Sequence, residues 1–152
     1  MKIEKLAVHD LCILTKLFAY NNVEQMISEC THDIQNGIID IFVLYDKDVL
    51  VGELRVMYES YDENFAIRGR RAYMFAFRVR EDFQNKGYGT YLLKTVLATL
   101  KEQGYCEFTV GVEDDNVRAI HMYQALEFNE FLLRKQEEYQ GDAYEYNLYL
   151  KK

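Results

Sequence analysis

No proline and no tryptophan occur among the 152 residues, and cysteine and histidine appear only three times each. Without proline, and with no low-complexity tract or internal repeat, nothing marks a linker, so a single domain over residues 1–152 is expected. Cys12, Cys30 and Cys106 stand far apart and lack the close pairs of zinc sites or disulfide oxidoreductases; they read as reduced thiols of a cytoplasmic protein. His9, His32 and His121 are equally scattered, and no metal site is expected. No apolar run approaches the roughly 20 residues of a membrane span, and Met1-Lys2-Ile3-Glu4-Lys5 does not begin a targeting segment, so no membrane partner is expected. Positive charge is in deficit: the formal net charge is −7. That argues against a nucleic-acid partner, whose phosphates need surplus Lys and Arg. It leans weakly towards cationic acceptors, although solubility alone also favours net charge.

What the chain does have is apolar and aromatic mass. Hydrophobic residues make up 49%, with thirteen Tyr and nine Phe, which is enough for a compact core at this length. From Asp10 to Tyr20, Leu11, Leu14, Leu17 and Phe18 recur at helical spacing. A second helix is predicted after Asn22, with Val23, Met26, Ile27, Cys30 and Ile34 on one face, and Gly37 closes it. Residues 41–45 and 49–58 read as a hairpin turned at Asp46-Lys47-Asp48, and residues 60–69 as a loop. Between Arg71 and Arg80, Tyr73, Phe75, Phe77 and Val79 alternate with Ala72, Met74, Ala76 and Arg78, the period of a strand. A helix follows, with Tyr88, Tyr91, Leu92, Thr95, Val96, Thr99 and Leu100 predicted on its apolar stripe and Gly104 at its end. A short strand (108–112), a short helix (116–125) and two strands turned at Gln140-Gly141-Asp142 complete a mixed α/β order.

The chemistry centres on Gln84-Asn85-Lys86-Gly87-Tyr88-Gly89-Thr90. Two glycines stand where the chain leaves a strand and enters a helix, so backbone N–H groups can approach a ligand unobstructed by Cβ. The first-turn amides have no internal partners and the helix dipole adds positive charge, which suits a pyrophosphate, with Lys86 beside it. A tight strand-to-helix turn explains the same glycines structurally. A P-loop and a dinucleotide fingerprint are excluded, because neither Gly-Lys-Ser/Thr after four spacers nor a third glycine is present.

The run Val79-Arg80-Glu81-Asp82-Phe83-Gln84-Asn85-Lys86-Gly87-Tyr88-Gly89-Thr90, followed by Leu92-Leu93, resembles the CoA-binding signature of the GNAT superfamily of acyl-CoA-dependent N-acyltransferases. Val112-Glu113-Asp114-Asp115-Asn116-Val117-Arg118-Ala119, with Met122-Tyr123, Leu126 and Phe128, is similar to that family's downstream pattern. The resemblance covers residues 41–150 well, and the first forty only by helix content. It departs at Glu127, where the family usually has glycine, which leaves the exit of the short helix open.

The resemblance implies a central twisted mixed β-sheet flanked by helices, with acetyl-CoA as co-substrate and a small-molecule or peptide amine as acceptor. It implies that backbone groups around Phe77, Arg78 and Val79 bind the pantetheine arm and that Gln84, Asn85, Lys86, Gly87, Tyr88, Gly89 and Thr90 hold the pyrophosphate. Asn116 would touch the pantetheine arm or order water beside it, a plain helix N-cap being its other reading. Tyr123 would protonate the departing thiolate as a general acid, since phenol-to-thiolate transfer is only somewhat uphill. An acylated enzyme is not needed. A non-catalytic acyl-CoA-binding module is the rival reading, because the strand before the glycines has no carboxylate to act as base.

Glu53 and Glu113 are the nearest alternative bases in the expected sheet, each otherwise a solvated or salt-bridged surface group; a water relay is equally admissible. Five of the eight arginines, Arg68, Arg70, Arg71, Arg78 and Arg80, fall within thirteen residues. Arg78 and Arg80 would meet CoA phosphates and the other three an acidic acceptor group, unless all pair with neighbouring carboxylates. The acceptor, the acyl-chain preference and the oligomeric state, a homodimer among the options, are not legible in the sequence.

Overall fold

The structure, a computed structural model, describes residues 1–152. Seven strands form one mixed sheet in the order β1-β2-β3-β4-β5-β7-β6, and the helices complete the expected α/β architecture. By internal contacts the chain forms two compact units, Met1–Val56 with Ala76–Thr99, and Met57–Phe75 with Leu100–Lys152.

In the first unit, β1 (Lys2–Lys5) pairs antiparallel with β2 (Ile39–Asp46). β1 has no apolar alternation, only Ile3 among charged residues, which is why the sequence pattern passed over it. β2 and β3 (Val49–Met57) are joined through Lys47 and Asp48, both at positive φ (51° and 67°), the two-residue turn that suits the strand twist. The segment expected to be a helix from Asp10 to Tyr20 is instead a 3-10 helix, Val8–Lys16. Its apolar residues explain the difference: Leu11, Leu14 and Leu17 are spaced strictly by three, and a three-residue turn puts them on one edge, with Leu11 and Leu14 buried.

α1 (Val23–Gln35) starts where expected, the Asn22 side chain accepting from the Gln25 amide at 2.9 Å. Met26 and Cys30 are buried while Val23 is exposed. Within α2 (Tyr88–Glu102) the buried face is Leu92, Leu93, Val96, Leu97 and Leu100. Leu92, Val96 and Leu100 of the predicted stripe lie on this face, whereas Tyr91 is exposed and Tyr88, Thr95 and Thr99 are only half-buried. Leucines at 93 and 97 outcompete hydroxyl-bearing side chains for the core because they bury no polar atom.

In the second unit, the first residues of β4 (Arg71–Val79) pair parallel with β5 (Glu107–Val112), from Arg71↔Glu107 to Met74↔Val110. β5 pairs antiparallel with β7 (Asp142–Lys151), and β7 with β6 (Glu130–Tyr139), which turns at Gln140 and Gly141. Phe108, Val110, Phe128, Leu148 and Leu150 are buried here.

All three α-helices end alike. After α1, the Gly37 amide donates to the Ile34 carbonyl and the Ile38 amide to that of Asp33; after α2, Gly104 and Tyr105 donate to Lys101 and Leu100. α3 (Val117–Ala125) repeats the pattern, Glu127 donating to Gln124 and Phe128 to Tyr123. The residue at the left-handed position is glycine twice (φ 69° and 98°) and Glu127 (φ 71°) the third time. The departure at Glu127 thus leaves the turn intact and places a glutamate in a conformation that glycine adopts without strain.

Candidate functional site

The glycine segment lies in the first unit. After β4 the Arg80 amide donates to the Val51 carbonyl, and Glu81–Phe83 form one 3-10 turn that the sequence reading missed. Asn85 (φ 62°) and Gly87 (φ 86°) both take left-handed conformations, turning the chain into α2. The Gly87 carbonyl accepts the first helical bond, from the Tyr91 amide, so the residue at the helix entrance has no side chain with which to cap it. Gly87 is exposed, and nothing lies within 4 Å of where its Cβ would be. This is an open cradle of first-turn amides at the positive end of a fifteen-residue helix.

Side chains fix that cradle from outside. Gln84 Nε2 donates to the Val79 carbonyl at 2.9 Å, tying the loop to the strand before it. The Tyr88 hydroxyl donates to Asp46, and this bond raises the Tyr88 pKa above its ordinary value. Phe83 sits edge-on to Tyr88, with centroids 5.6 Å apart. Arg80 lies over the Phe83 ring at 5.8 Å, as does Lys86, and the Lys86 ammonium remains exposed.

Ala76 in β4 has φ 49°, a local break in strand geometry. Phe77, Arg78 and Val79 follow it, all half-buried. The Arg78 side chain does not stand alone: its Nη1 donates to Glu53 Oε1 at 2.8 Å, and its guanidinium lies 4.1 Å from the Phe18 ring centre. Glu53 is fully buried, correcting the expectation of a surface group. Its other oxygen accepts from Arg55 Nε at 3.0 Å. Arg55 also donates to the Tyr20 hydroxyl at 2.7 Å and to Cys30 Sγ at 3.5 Å. Burial works to lower the Arg55 pKa, but Glu53, Cys30 and Tyr20 outweigh it and the net direction is up. Glu53 serves as the counter-ion of two guanidiniums. Neither Phe18 nor Tyr20 could be linked to this cluster from the sequence, because the contacts span 35 to 60 positions.

The second unit holds Tyr123 and Asn116. Tyr123 is 7% exposed, and burial alone pushes its phenol above the ordinary tyrosine pKa. The helix ending described above holds it: its carbonyl accepts from the Phe128 amide, and its ring meets Phe128 edge-on at 5.7 Å. Asn116 Oδ1 accepts from the Ala119 amide at 3.2 Å, so the N-cap reading of this residue is realised. Glu113 is exposed.

The same unit contains groups the sequence did not single out. Tyr146 and Tyr144 donate to the two oxygens of Glu137, at 2.7 and 2.8 Å, and Lys135 pairs with Glu137 at 3.3 Å. Glu107 is 5% exposed and shared by Arg71 at 2.8 Å and Arg70 at 3.1 Å, while Arg68 pairs with Glu59. Arg68, Arg70 and Arg71 are therefore engaged with carboxylates. No group of three or more His, Cys, Asp and Glu side chains gathers as a metal site, and no helix is long and apolar enough to cross a membrane.

Among solved structures, the fold is similar to that of the ribosomal-protein-alanine N-acetyltransferase of Brucella melitensis, with a TM-score of 0.75, 16% identity and 99% of each chain covered. It is also similar to yncA of Salmonella typhimurium, solved with its cofactor acetyl-CoA, with a TM-score of 0.72, 15% identity, and 99% of this chain and 92% of that one covered. In sequence, 64 residues are 34% identical to the [ribosomal protein bS18]-alanine N-acetyltransferase of Salmonella typhimurium strain LT2. That match spans 42% of this chain and 43% of the relative, less than half of either. Residues 12–128, which include the glycine cradle, Asn116 and Tyr123, match the Acetyltransferase (GNAT) family as a whole, and the chain belongs to that family.

Proposed function

We propose that the protein is an N-acetyltransferase moving an acetyl group from acetyl-CoA to a primary amine by direct attack, residues 1–152 acting as one domain. The observation that carries this reading is the cradle at the entrance of α2: a side-chain-free Gly87 at φ 86°, with open space around it, at the start of a helix whose first-turn amides have no partner within the helix. These features fit a diphosphate. The amides of Lys86, Gly87, Tyr88, Gly89 and Thr90 would grip it, Gln84 and Asn85 shaping the loop, while the backbone of Phe77, Arg78 and Val79 pairs with the pantetheine amides. Asn116 would orient that arm or a water beside it. Bound acetyl-CoA would supply the acetyl group as a thioester.

Tyr123 holds the proton for the departing sulfur. Its raised pKa keeps the phenol protonated at neutral pH, as a general acid requires. Glu53 does not act as base, since both its oxygens are held by arginines. Water takes the proton from the amine instead. The lack of any carboxylate within β4 itself favours one rival, an acyl-CoA-binding module without turnover.

Thiol release with acetyl-CoA and a panel of amines separates the two. The panel holds peptides with N-terminal alanine, spermidine, free amino acids and lysine peptides, because N-acetyltransferases of similar fold or sequence are named for ribosomal-protein alanine and for spermidine. Release with one class supports the enzyme. Acetyl-CoA binding by calorimetry without release from any amine would establish the binding module. In the same calorimetry, Gly87→Val should weaken acetyl-CoA by about tenfold or more, since a β-branched residue at that φ strains the cradle; unchanged binding would remove the diphosphate assignment.

A further inference from the structure

The arginines differ in how much of each guanidinium is committed. Arg55 spends Nε on Glu53, Nη1 on Cys30 and Nη2 on Tyr20. Arg70 puts both Nε and Nη2 on Glu107, and Arg71 divides its donors among Glu107, Glu63 and Asn64. Arg78 is different. Its bonds to Glu53 (2.8 Å) and Tyr20 (3.5 Å) both leave from Nη1, and the Nε/Nη2 edge is uncommitted. That edge is the fork that matches the two oxygens of a carboxylate or phosphate.

The fork is held still and partly open. Glu53 fixes one nitrogen, the Phe18 ring covers the guanidinium at 4.1 Å, and Tyr20 stands at 5.9 Å, yet the side chain keeps 24% of its exposure. The Tyr20 hydroxyl accepts from Arg55, which leaves its own O–H free to donate. Burial raises the Tyr20 pKa, so that proton stays in place at neutral pH. Charge points the same way. One buried carboxylate, Glu53, faces two guanidiniums, a surplus of one positive charge, and buried surplus charge is stabilised by a counter-ion.

We propose that the Nε/Nη2 edge of Arg78, together with the Tyr20 hydroxyl, is an oxyanion subsite that reads a carboxylate on the acceptor, so the acceptor is an anionic amine such as an amino acid or an acidic peptide and not a polyamine. This rests on the transferase reading above. The shared chemistry is an oxyanion, and the cofactor's own phosphates are the other source, which the experiment distinguishes.

The test uses paired amines that differ only in carboxylate against carboxamide: L-amino acids against their amides, and dipeptides carrying Asp against Asn. Two readouts are taken, thiol release and the side-chain Nε–H resonance of Arg78 in the 15N spectrum. The carboxylate members should shift that resonance and should be used with a kcat/KM at least about tenfold above their amides. Arg78→Lys keeps the charge opposite Glu53 but loses the fork; it should cut the preference below about twofold. Tyr20→Phe, which keeps the ring, should cut the preference partway and serves if Arg78→Lys does not fold.

Equal use of both members with an unmoved resonance overturns the subsite and leaves the transferase standing. A resonance that moves with CoA alone assigns the fork to the cofactor and overturns the acceptor claim. A resonance that answers to carboxylates while no amine releases thiol supports the subsite and removes the transferase reading.

Discussion

Replacing Tyr123 with phenylalanine removes one oxygen from a side chain that is 7% exposed and leaves everything else that holds it. The Tyr123 carbonyl still accepts from the Phe128 amide and the ring still meets Phe128 at 5.7 Å, so stability should change by no more than about 1 kcal/mol. Turnover should not survive as well. A positioned general acid contributes about 10²- to 10⁴-fold, equal to about 3 to 5 kcal/mol of barrier, and kcat should fall within that range. Acetyl-CoA affinity, measured by calorimetry, should stay within about twofold.

The pH profile is a second arm of the same experiment. Burial raises the pKa of the Tyr123 phenol, so its acid form persists from neutral pH to beyond the ordinary tyrosine value of about 10. The wild-type kcat/KM should therefore rise with pH as the acceptor amine loses its proton, then level off, with no descending limb below about pH 10. A kcat unchanged in Tyr123→Phe, or a fall in kcat matched by an equal fall in acetyl-CoA affinity, would refute the assignment of Tyr123 as the acid.

Glu127→Gly should stabilise the protein slightly. The left-handed conformation costs glutamate about 1–2 kcal/mol, the extra freedom of glycine in the unfolded chain takes back about 0.4–1, and an ion pair open to solvent on its glutamate side, such as that with Lys151 at 3.5 Å, is worth about 0.5. The net gain of about 0.5 kcal/mol corresponds to a Tm rise of about 1–2 °C by calorimetry; a lower Tm would show that Glu127 is held by more than its backbone. Glu107 gives a pH signature. Burial works to raise its pKa, but hydrogen bonds from Arg71 and Arg70 outweigh it and the carboxyl titrates below its ordinary range. A depressed pKa contributes stability that is present above the unfolded value and lost as pH falls through the folded one. The stability gap between wild type and Glu107→Gln, by urea titration, should be full near pH 6 and shrink below about pH 4; a gap independent of pH would argue against the ion pairs as its source.

Much of the architecture was legible because it is local. The Asn22 cap, the glycines at 37 and 104, the alternation of residues 71–79 and the glycine segment at 84–90 each depend on the geometry of a few consecutive residues, and each is found where the pattern put it. The misreadings were also local in origin. A three-residue leucine spacing suits a 3-10 helix as well as an α-helix, a four-residue polar strand gives no periodic signal, and the hydroxyl-bearing side of α2 competes in pattern with Leu93 and Leu97.

By itself the sequence determined the family, the order of β2 to β7 with the three α-helices, and the glycine cradle, since backbone conformation at glycine and the N-terminal amides of a helix follow from near neighbours. Only the tertiary structure decided which charges remain available. Glu53 became a buried counter-ion, Arg70 and Arg71 were committed to Glu107, and Arg78 was left with an open edge beneath Phe18. The partners of a buried charge lie tens of residues away along the chain, and the desolvation that compels the pairing exists only once the core has closed.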